Sequence, residues 1–383
     1  MSLRVCYPFV GDSIGGSHIS AALLIQGVRE YGISPLVILH QEGSLAEYFS
    51  DKGIAFEIAP NVRVVGAGST LKQIRTMASV APTLINYMRE RHVDIVHTND
   101  ARMHLTWALA SRLAGAAFIW HQRSGEQSRR LAIYSRLADY VITVSEFNRS
   151  RLPGKMGSRA KVILNPFDEP WPPPDRDVEK GRLLSEFGAS KGTRIVGYIA
   201  NLSNRKRPLV FAEMAGLLAR QVDINLVFPM FGDPRPPLRQ EVELLIQQLG
   251  LNGRCALMGM RMPIEQYIAA CDVVVAPAVD EPLGRAIIEP MLTGTPVVAA
   301  DHGGNREIIS NGVTGLLVRP DDPAAFATAV TSLLTNADYA SKIAQAAHEC
   351  ALTRFSRKKH VGTVLQIYRQ AIGSRSSALA RSA

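Results

Sequence analysis

Short apolar stretches alternate with helix-forming stretches along the chain, and this alternation limits the folds that are open to it. In the first half, the apolar stretches lie at about 35–39, 93–98, 117–121 and 140–145 and are predicted to be strands. The stretches near 71–91, 101–114 and 127–138 lie between them and are predicted to be helices. Strands and helices that alternate in this way form doubly wound parallel sheets, so we predict an α/β fold.

The second half contains a strand, helix, strand unit with a glutamate on each side of the helix start. The run from Asp272 to Pro277 is short and β-branched, as in a buried strand, and the stretch from Arg285 to Leu292 suits a helix. The loop between them collects the free N–H groups of the helix, which bind anions, and Glu281 lies in this loop. Glu289 is about two turns along the helix at ~1.5 Å per residue, so both carboxylates can contact one extended ligand, such as a nucleotide carrying a sugar.

The next loop repeats this arrangement and strengthens the prediction of an anion site. Residues 301–305 follow a strand predicted at 297–299, contain two glycines that allow close backbone approach, and precede a short helix near 306–310. Two helix N-termini would therefore converge. The glutamates alone leave a second interpretation open, in which both are solvated charges beside a surface helix.

Length and composition indicate two domains without a disulfide framework or a membrane span. The chain has 383 residues, 46% of them hydrophobic, which is enough for two cores. The four cysteines are far apart, no apolar run approaches the ~20 residues of a membrane span, and the sequence begins with a strand near 3–7 instead of a signal peptide. The predicted location is the cytoplasm, including the inner face of the membrane.

The net charge of +9 favours anionic partners but does not choose among them. Nucleic-acid binding is disfavoured because no aromatic-basic interleaving or nucleic-acid motif is present. The segment from Arg123 to Lys161 is strongly basic with few acids. Peripheral contact with a membrane is one interpretation of this segment, and a solvated basic face is the other.

Two further loops contain candidate binding residues. The loop that includes Gly15 and Gly16 follows the first strand and lacks the GxGxxG spacing of a dinucleotide site, so a tight turn is the alternative. The loop after the strand near 194–200 carries three consecutive cations, Arg205 to Arg207, ahead of a helix that starts near Pro208. Such cations can clamp a diphosphate, and a solvated loop is again the alternative.

A longer set of stretches carries a family resemblance. Glu281-x7-Glu289, Gly294-Thr-Pro-Val-Val298, Gly303-Gly304, Glu307-Ile and Asn311-Gly-Val-Thr-Gly-Leu-Leu-Val318 together resemble the donor half of family 4 glycosyltransferases. The resemblance implies the GT-B fold, with two Rossmann-like doubly wound domains facing across a cleft. The expected divisions are an acceptor-binding domain at 1–168, a linker region at 169–192, a nucleotide-sugar-binding domain at 193–354, and a helix and tail at 355–383 that return to the first domain.

The resemblance also implies a reaction: transfer of a sugar from a nucleotide-diphosphate sugar with retained anomeric configuration and without a bound metal or other cofactor. Glu281 would orient the sugar hydroxyls or, less favoured, act as a covalent nucleophile, and His121 would contact the donor sugar. Glu289 would bind the ribose hydroxyls. Asn201 stands where the family has an arginine, so Arg205 or Arg207 would have to replace it. The donor-binding set implied in this way is Gly15, Gly16, Asn201, Arg205, Lys206, Arg261, Leu283, Gly284, Arg285 and Glu289.

The acceptor and the catalytic outcome stay open at this point. A saccharide, a lipid-linked sugar or a small molecule fits equally well as acceptor. A GT-B epimerase acting on the nucleotide sugar and a non-catalytic nucleotide-sugar-binding protein are the two alternatives to a transferase.

Overall fold

The computed structural model describes residues 2–125, 128–169, 172–233 and 236–382, with side chains described as far as Ser374. Its strands are β1 Arg4–Phe9, β2 Ser34–Leu39, β3 Glu57–Ile58, β4 Ile95–Thr98, β5 Ala117–Gln122, β6 Tyr140–Thr143, β7 Ala160–Val162, β8 Arg194–Ile199, β9 Leu226–Phe231, β10 Cys255–Gly259, β11 Val273–Ala276, β12 Val297–Ala300 and β13 Leu316–Val318. Its helices are α1 Gly16–Arg29, α2 Ser44–Asp51, α3 Thr70–Glu90, α4 Ala101–Ala114, α5 Arg129–Tyr134, α6 Glu146–Arg151, α7 Lys155–Arg159, α8 Arg176–Glu186, α9 Pro208–Gln221, α10 Leu238–Gln248, α11 Ile264–Ala270, α12 Arg285–Leu292, α13 Asn305–Ile308, α14 Pro323–Thr335, α15 Ala337–Arg354 and α16 Arg357–Ser382.

The chain divides into two compact units, one of which is discontinuous in sequence. The first unit contains Met1–Asp168 and Phe355–Ala383, and the second contains Glu169–Arg354.

The first unit is built on a seven-stranded parallel sheet with the order β3-β2-β1-β4-β5-β6-β7. Side chains on alternate strand positions point to opposite faces of a sheet, and helices cover both faces here. One core contains Tyr7 and Phe9 of β1 together with residues of α1, α2 and α16. The other contains Trp107 and Trp120 with residues of α3, α4 and α5. The returning helix α16 is therefore an integral part of the first core, because Val361, Val364 and Tyr368 are buried in it.

The second unit is built on a six-stranded parallel sheet with the order β10-β9-β8-β11-β12-β13. The strand order reverses between β8 and β11. At such a switch point a crevice lies outside the carboxyl ends of the two central strands, and ligands bind there in open α/β sheets. The loops after β8 and β11 are those that contain Arg205, Lys206 and Glu281.

Some sequence-based predictions need correction. The linker region at 169–192 contains the helix α8, whose Leu183 and Leu184 are buried in the second unit. Its Pro170 and Trp171 lie outside the described residues, as does Gln127 at the start of the predicted helix near 127–138, of which α5 forms the described part. The helix and tail predicted at 355–383 form the single helix α16, from Arg357 to Ser382.

Other local features concern a predicted helix, the four cysteines and the lengths of the helices. The helix predicted from Arg285 to Leu292 is confirmed with the same bounds. Cys6, Cys255, Cys271 and Cys350 all have free thiols. None of the described helices is both long enough and apolar enough to cross a lipid bilayer.

Candidate functional site

Two loops meet at the switch point of the second sheet. After β8, residues 204–206 form one turn of 3₁₀ helix, and Arg207 adopts a left-handed conformation with φ of 54°. After β11, Asp280 is likewise left-handed, with φ of 52°. The Val279 amide donates a hydrogen bond to the carbonyl of Arg205 at 3.0 Å. This bond joins the two loops and determines where their charged side chains meet.

Glu281 is at the centre of the cluster. Its Oε2 atom accepts hydrogen bonds from Lys206 Nζ at 2.6 Å and from the Arg205 guanidinium at 2.5 Å. The Glu281 side chain is 10% exposed and that of Lys206 is 16% exposed, whereas Arg205 is more open to solvent. Two cations on one carboxylate leave an excess of positive charge in the group. A phosphate or diphosphate is a ligand of the matching charge.

Glu289 forms a separate ion pair with Arg285, the first residue of α12. Arg285 and Glu289 are four residues apart on the helix and bond at 2.7 Å, with both side chains about one-fifth exposed. The helix itself begins after Gly284, whose carbonyl accepts from the Ile287 and Ile288 amides. Leu283, just before it, is buried. The carboxylate of Glu289 is therefore held in a defined position in the second turn of α12.

The loop after β12 holds the backbone of Glu281 in place by a hydrogen bond. The Gly304 amide donates to the Glu281 carbonyl at 2.9 Å. Asn305 is buried and donates through Nδ2 to the carbonyls of Ala278 and Ala300, so it ties the β11 loop to the end of β12. A methyl group at Gly304 would lie 2.5 Å from the Pro282 carbonyl oxygen, which explains the need for glycine there. Sequence reasoning assigned no binding role to Asn305, although the adjacent glycine pair marks a loop that other backbone approaches closely.

The first unit contains a buried chain of hydrogen-bonding rings. Tyr7 and Tyr368 share a hydrogen bond of 2.8 Å, and Tyr368 bonds to His97 Nδ1 at 2.5 Å. His97 Nε2 and His121 Nδ1 lie 3.1 Å apart. The His121 ring also stacks on His360, with 6.1 Å between ring centroids. The chain thus runs from the core of the sheet to the carboxyl ends of β4 and β5.

Burial keeps these histidines uncharged. Desolvation lowers the pKa of His97 and His121 well below the usual range, and the nearby Arg123 charge lowers it further. The same causes lower the pKa of His360 to about 3. The hydrogen bond to the Leu164 carbonyl raises this pKa but does not outweigh them. Among the described residues, His121 Nε2 has no hydrogen-bond partner, and the residue is fully buried. In this conformation His121 is a neutral ring that reaches no solvent-exposed ligand, so its contact with a donor sugar stays a prediction.

A buried arginine completes this group. Arg123 follows β5 and donates from Nε to Asn99 Oδ1 at 2.9 Å and from a terminal nitrogen to Asn165 Oδ1. The two asparagines follow β4 and β7, so Arg123 links the ends of three strands. Sequence reasoning placed Arg123 in a basic segment and in a polar loop after a strand but gave it no role of its own, because nothing local distinguishes a buried arginine from a solvated one.

Comparisons with known proteins give the family. The family described as "Glycosyl transferases group 1" matches residues 181–349, and "Glycosyltransferase Family 4" matches residues 14–169. The D-inositol 3-phosphate glycosyltransferase of Corynebacterium efficiens is 33% identical, and the alignment covers 90% of this chain and 88% of the relative. The chain belongs to glycosyltransferase family 4.

Other similarities agree with this assignment. The alpha-maltose-1-phosphate synthase of Mycolicibacterium smegmatis is 29% identical over 350 residues, covering 82% of this chain and 87% of the relative. A solved structure of Anabaena HepE in complex with UDP and glucose superposes with a TM-score of 0.80 at 23% identity, covering 96% of this chain and 100% of that one. This family 4 glycosyltransferase therefore has the GT-B fold, and the sequence-based prediction of two doubly wound domains is confirmed.

The remaining candidate residues of this family 4 glycosyltransferase lie in different surroundings. Asn201 is exposed in the β8 loop. Arg207 pairs with Asp321 at 2.7 Å, so Arg205 is the arginine that joins Lys206 at Glu281. Arg261 donates to the Met258 carbonyl and contacts Glu186 of α8 at 3.2 Å. Its predicted role in donor binding is not supported by any contact with the Glu281 cluster.

Gly15 and Gly16 lie at the start of α1. The Gly15 amide donates to His18 Nδ1 at 3.1 Å, and burial lowers the pKa of His18 to about 4, so this ring accepts as a neutral group. Gly15 has an extended backbone, and a methyl group there would meet nothing within 4 Å. Local packing thus does not require glycine at this position, and the predicted approach to a diphosphate stays a prediction. Within the described residues, no group of three or more metal-ligating side chains is present.

Proposed function

We propose that this protein is a retaining glycosyltransferase that moves a hexosyl unit from a nucleoside diphosphate sugar to a saccharide acceptor, free or lipid-linked. The observation that carries the proposal is the convergence of Arg205 and Lys206 on one oxygen of Glu281 at the switch point of the second sheet. Cations at this position can bind the departing nucleoside diphosphate. A carboxylate beside them can bind the sugar that is transferred.

The leaving group gains negative charge as the glycosidic bond breaks. Preorganised cations and helix N–H groups aimed at that charge lower the barrier directly. Lys206, Arg205 and the first N–H groups of α12 would supply this stabilisation, so we propose that the reaction needs no bound metal. HepE binds UDP and glucose in its solved complex, which supports a uridine donor here, although that similarity by itself extends only to the fold.

We assign Glu281 an orienting role. Its Oε2 oxygen already accepts from two cations, which makes that oxygen less available for covalent attack on the anomeric carbon. When a diphosphate engages Arg205 and Lys206, the carboxylate can turn its oxygens to sugar hydroxyls. The acceptor hydroxyl would then attack from the side of the leaving group, and a phosphate oxygen of the donor would receive its proton.

Glu289 would bind the ribose hydroxyls of the donor. Arg285 holds its carboxylate in place by an i,i+4 ion pair, so the side chain loses little additional entropy on binding. Two relatives have names that include a phosphorylated polyol or sugar, D-inositol 3-phosphate and maltose-1-phosphate. A sugar phosphate is therefore the first small acceptor to test, beside lipid-linked saccharides.

The test begins with ligand-induced stabilisation. Wild type, Glu289→Ala and a control variant are heated with UDP, GDP, ADP and dTDP and their common sugar conjugates, with EDTA present. The control is Glu243→Ala, because Arg239 and Glu243 form an i,i+4 pair of the same kind on the exposed face of α10. A ligand at a hundred times its Kd adds ~2.7 kcal/mol, which raises Tm by roughly 5–11 °C at about 2–4 °C per kcal/mol.

The expected result is a shift selective for one nucleotide that Glu243→Ala keeps and Glu289→Ala loses. Equal shifts in both variants would contradict the role of Glu289, and no shift with any nucleotide would overturn the donor site. Turnover is then followed as nucleotide release with and without sugar acceptors, and NMR of the product reads the anomeric configuration. Conversion of the donor without an acceptor would indicate an epimerase, and binding without turnover would indicate a non-catalytic binder.

A further inference from the structure

We propose that one face of the first unit docks on an anionic lipid surface. The face consists of the exposed apolar side chains Leu71, Ile74 and Ile133, with Lys72, Arg75 and Arg129 among them. We call it the α3–α5 face. The proposal goes beyond the transfer reaction, since it concerns where the protein sits and not what its donor site binds.

The apolar part of the face is unusually exposed. Leu71 is 57% exposed, Ile74 is 49% exposed and Ile133 is 54% exposed in the complete chain. Leu71 and Ile74 are three residues apart in the first two turns of α3, so they share one side of the helix. Apolar side chains that remain exposed in a cluster mark an interaction surface more often than scattered ones do.

Tertiary contacts bring the third apolar residue to the other two. Arg130 of α5 donates to the carbonyl of Gly68, just before α3 begins, at 2.5 Å. Tyr134 of α5 donates to Gln73 of α3 at 3.0 Å. The short helix α5 therefore lies beside the first turns of α3, although 62 residues separate Arg130 from Gly68. Ile133 lies between these two contacts in the α5 sequence and is exposed, so it extends the apolar patch.

The named charged residues of the face have one sign. The sequence has no acidic residue from 58 to 89, from 128 to 138 or from 147 to 167, and these stretches contain α3 except for its last residue, Glu90, and the whole of α5 and α7. Lys72, Arg75, Arg129 and Arg130 are exposed on the first two of these helices. The Arg130 bond goes to a backbone carbonyl, which carries no net charge to offset that of the guanidinium.

This combination selects the partner. Exposed aliphatic side chains ringed by lysine and arginine match an anionic bilayer, where the apolar groups enter the acyl boundary and the cations contact head groups. A nucleic acid would use the cations but would gain little from the three exposed apolar side chains, since all three are aliphatic and offer no ring for stacking on bases. A lipid surface is therefore the occupant to which charge and apolarity both point.

The experiment is sedimentation of the full chain with vesicles of phosphatidylglycerol mixed with phosphatidylcholine, and with vesicles of phosphatidylcholine alone. We expect binding only to the anionic vesicles and a strong decrease with salt. The variant Leu71→Gln/Ile74→Gln/Ile133→Gln should bind at least roughly tenfold more weakly. The variant Lys72→Gln/Arg75→Gln/Arg129→Gln should lose roughly fivefold per removed charge.

A control removes exposed apolar side chains from acidic surroundings. Val178 and Leu244 are exposed on α8 and α10. Acidic residues flank Val178 on both sides in the sequence, and Glu243 directly precedes Leu244. Val178→Gln/Leu244→Gln should therefore bind vesicles like wild type. The variants of the first unit must keep its cooperative unfolding, followed by the fluorescence of the buried Trp107 and Trp120 in a Trp171→Phe background, which shows that this unit is folded. Val178→Gln/Leu244→Gln must keep the nucleotide-induced rise in Tm.

Several results would overturn the proposal. These are equal binding to both kinds of vesicle, wild-type binding by the triple apolar variant, a dimer in analytical ultracentrifugation that the same variant dissociates, or a duplex oligonucleotide that binds through this face in preference to vesicles. Failure of vesicle binding with an intact nucleotide shift would leave the proposed transferase untouched. A missing nucleotide shift with intact vesicle binding would contradict the proposed donor site and would leave the proposed lipid docking unaffected.

Discussion

Lys206 and Glu281 form a salt bridge of 2.6 Å although 75 residues separate them in the sequence. The bridge exists because β8 and β11 are neighbours in the sheet, so the loops at their carboxyl ends meet. Its largely buried setting gives it consequences beyond those of a surface pair. Removal of one partner of a buried pair leaves a charge without compensation, unlike a surface pair, whose loss is worth little.

Glu281→Gln should separate binding from turnover. The amide has nearly the same shape but no charge, so Arg205 and Lys206 become fully available to a diphosphate. We expect the Kd of the nucleoside diphosphate to stay equal or fall, while kcat decreases by about a hundredfold or more, as for loss of a transition-state contact. Calorimetry with the nucleotide and a nucleotide-release assay measure the two. Unchanged kcat would contradict a role for this carboxylate in the reaction.

Lys206→Met should weaken nucleotide binding. Methionine keeps an apolar stem of similar length but cannot meet a phosphate, and each lost charge-assisted bond is worth about tenfold in Kd. Arg207→Met is the control, because Arg207 lies in the same loop but pairs with the exposed Asp321. We expect that control to change Kd by less than about twofold, consistent with a surface pair. Equal effects of both substitutions would argue for a diffuse electrostatic attraction instead of a clamp.

Gly304→Ala should displace the loop that carries Glu281. Its methyl group would lie 2.5 Å from the Pro282 carbonyl oxygen and 2.9 Å from that of Glu281, and backbone atoms cannot yield as a side-chain tip can. Overpacking of this kind costs about 1–3 kcal/mol, and turnover should fall with it. The matched substitution is Gly181→Ala in α8, where a methyl group meets nothing within 4 Å and should stabilise the helix slightly. Urea unfolding of both variants decides the comparison.

The first unit should lose stability as the pH falls from 6.5 towards 4. Burial lowers the pKa of His18 and His40 to about 4 and that of His360 to about 3, below the ordinary 6.5 of the unfolded chain. The unfolded state therefore binds protons that the native state does not, and each such histidine costs about 2 kcal/mol at a pH near 5.

His360→Asn tests this dependence, because an asparagine amide can still donate to the Leu164 carbonyl while carrying no titrating ring. Trp107 and Trp120 are buried in the first unit, so their fluorescence in a Trp171→Phe background follows its unfolding. The plot of unfolding free energy against pH should be flatter in His360→Asn than in the parent. Parallel plots would contradict the assignment of His360 as a neutral buried group.

Tyr368→Phe should destabilise the first unit by interrupting the ring chain. The substitution removes a hydroxyl that bonds both Tyr7 and His97, and a buried polar group left unsatisfied costs about 1–3 kcal/mol. Tyr87→Phe is the comparison, since Tyr87 bonds to the partly exposed Glu57, where water can replace the lost bond. If urea unfolding shows a larger loss of unfolding free energy for Tyr87→Phe than for Tyr368→Phe, the buried chain of rings contributes little to stability.

The elements and their order could be derived from the sequence because they depend on local patterning. The alternation of apolar and helical stretches predicted parallel sheets, and α12 was predicted to the residue. The pair Glu281 and Glu289 was recognised by its spacing around a helix start. Helices α2, α6, α7, α8 and α10 and the strands β3, β7 and β13 were not predicted; most of these elements are short, and short segments carry weak periodicity.

The partners of each side chain were decided by the tertiary structure. Arg205, and not Arg207, joins Lys206 at Glu281, because Arg207 pairs with Asp321. That Arg205 replaces the family arginine stays a prediction. His121 is buried behind His97 and His360, and the latter arrives on a helix more than two hundred residues later in the chain. Spacing along a chain determines what can face one side of a helix or strand. Strand order and packing determine which residues of distant loops form ion pairs or are buried together. A local sequence pattern contains no information about either.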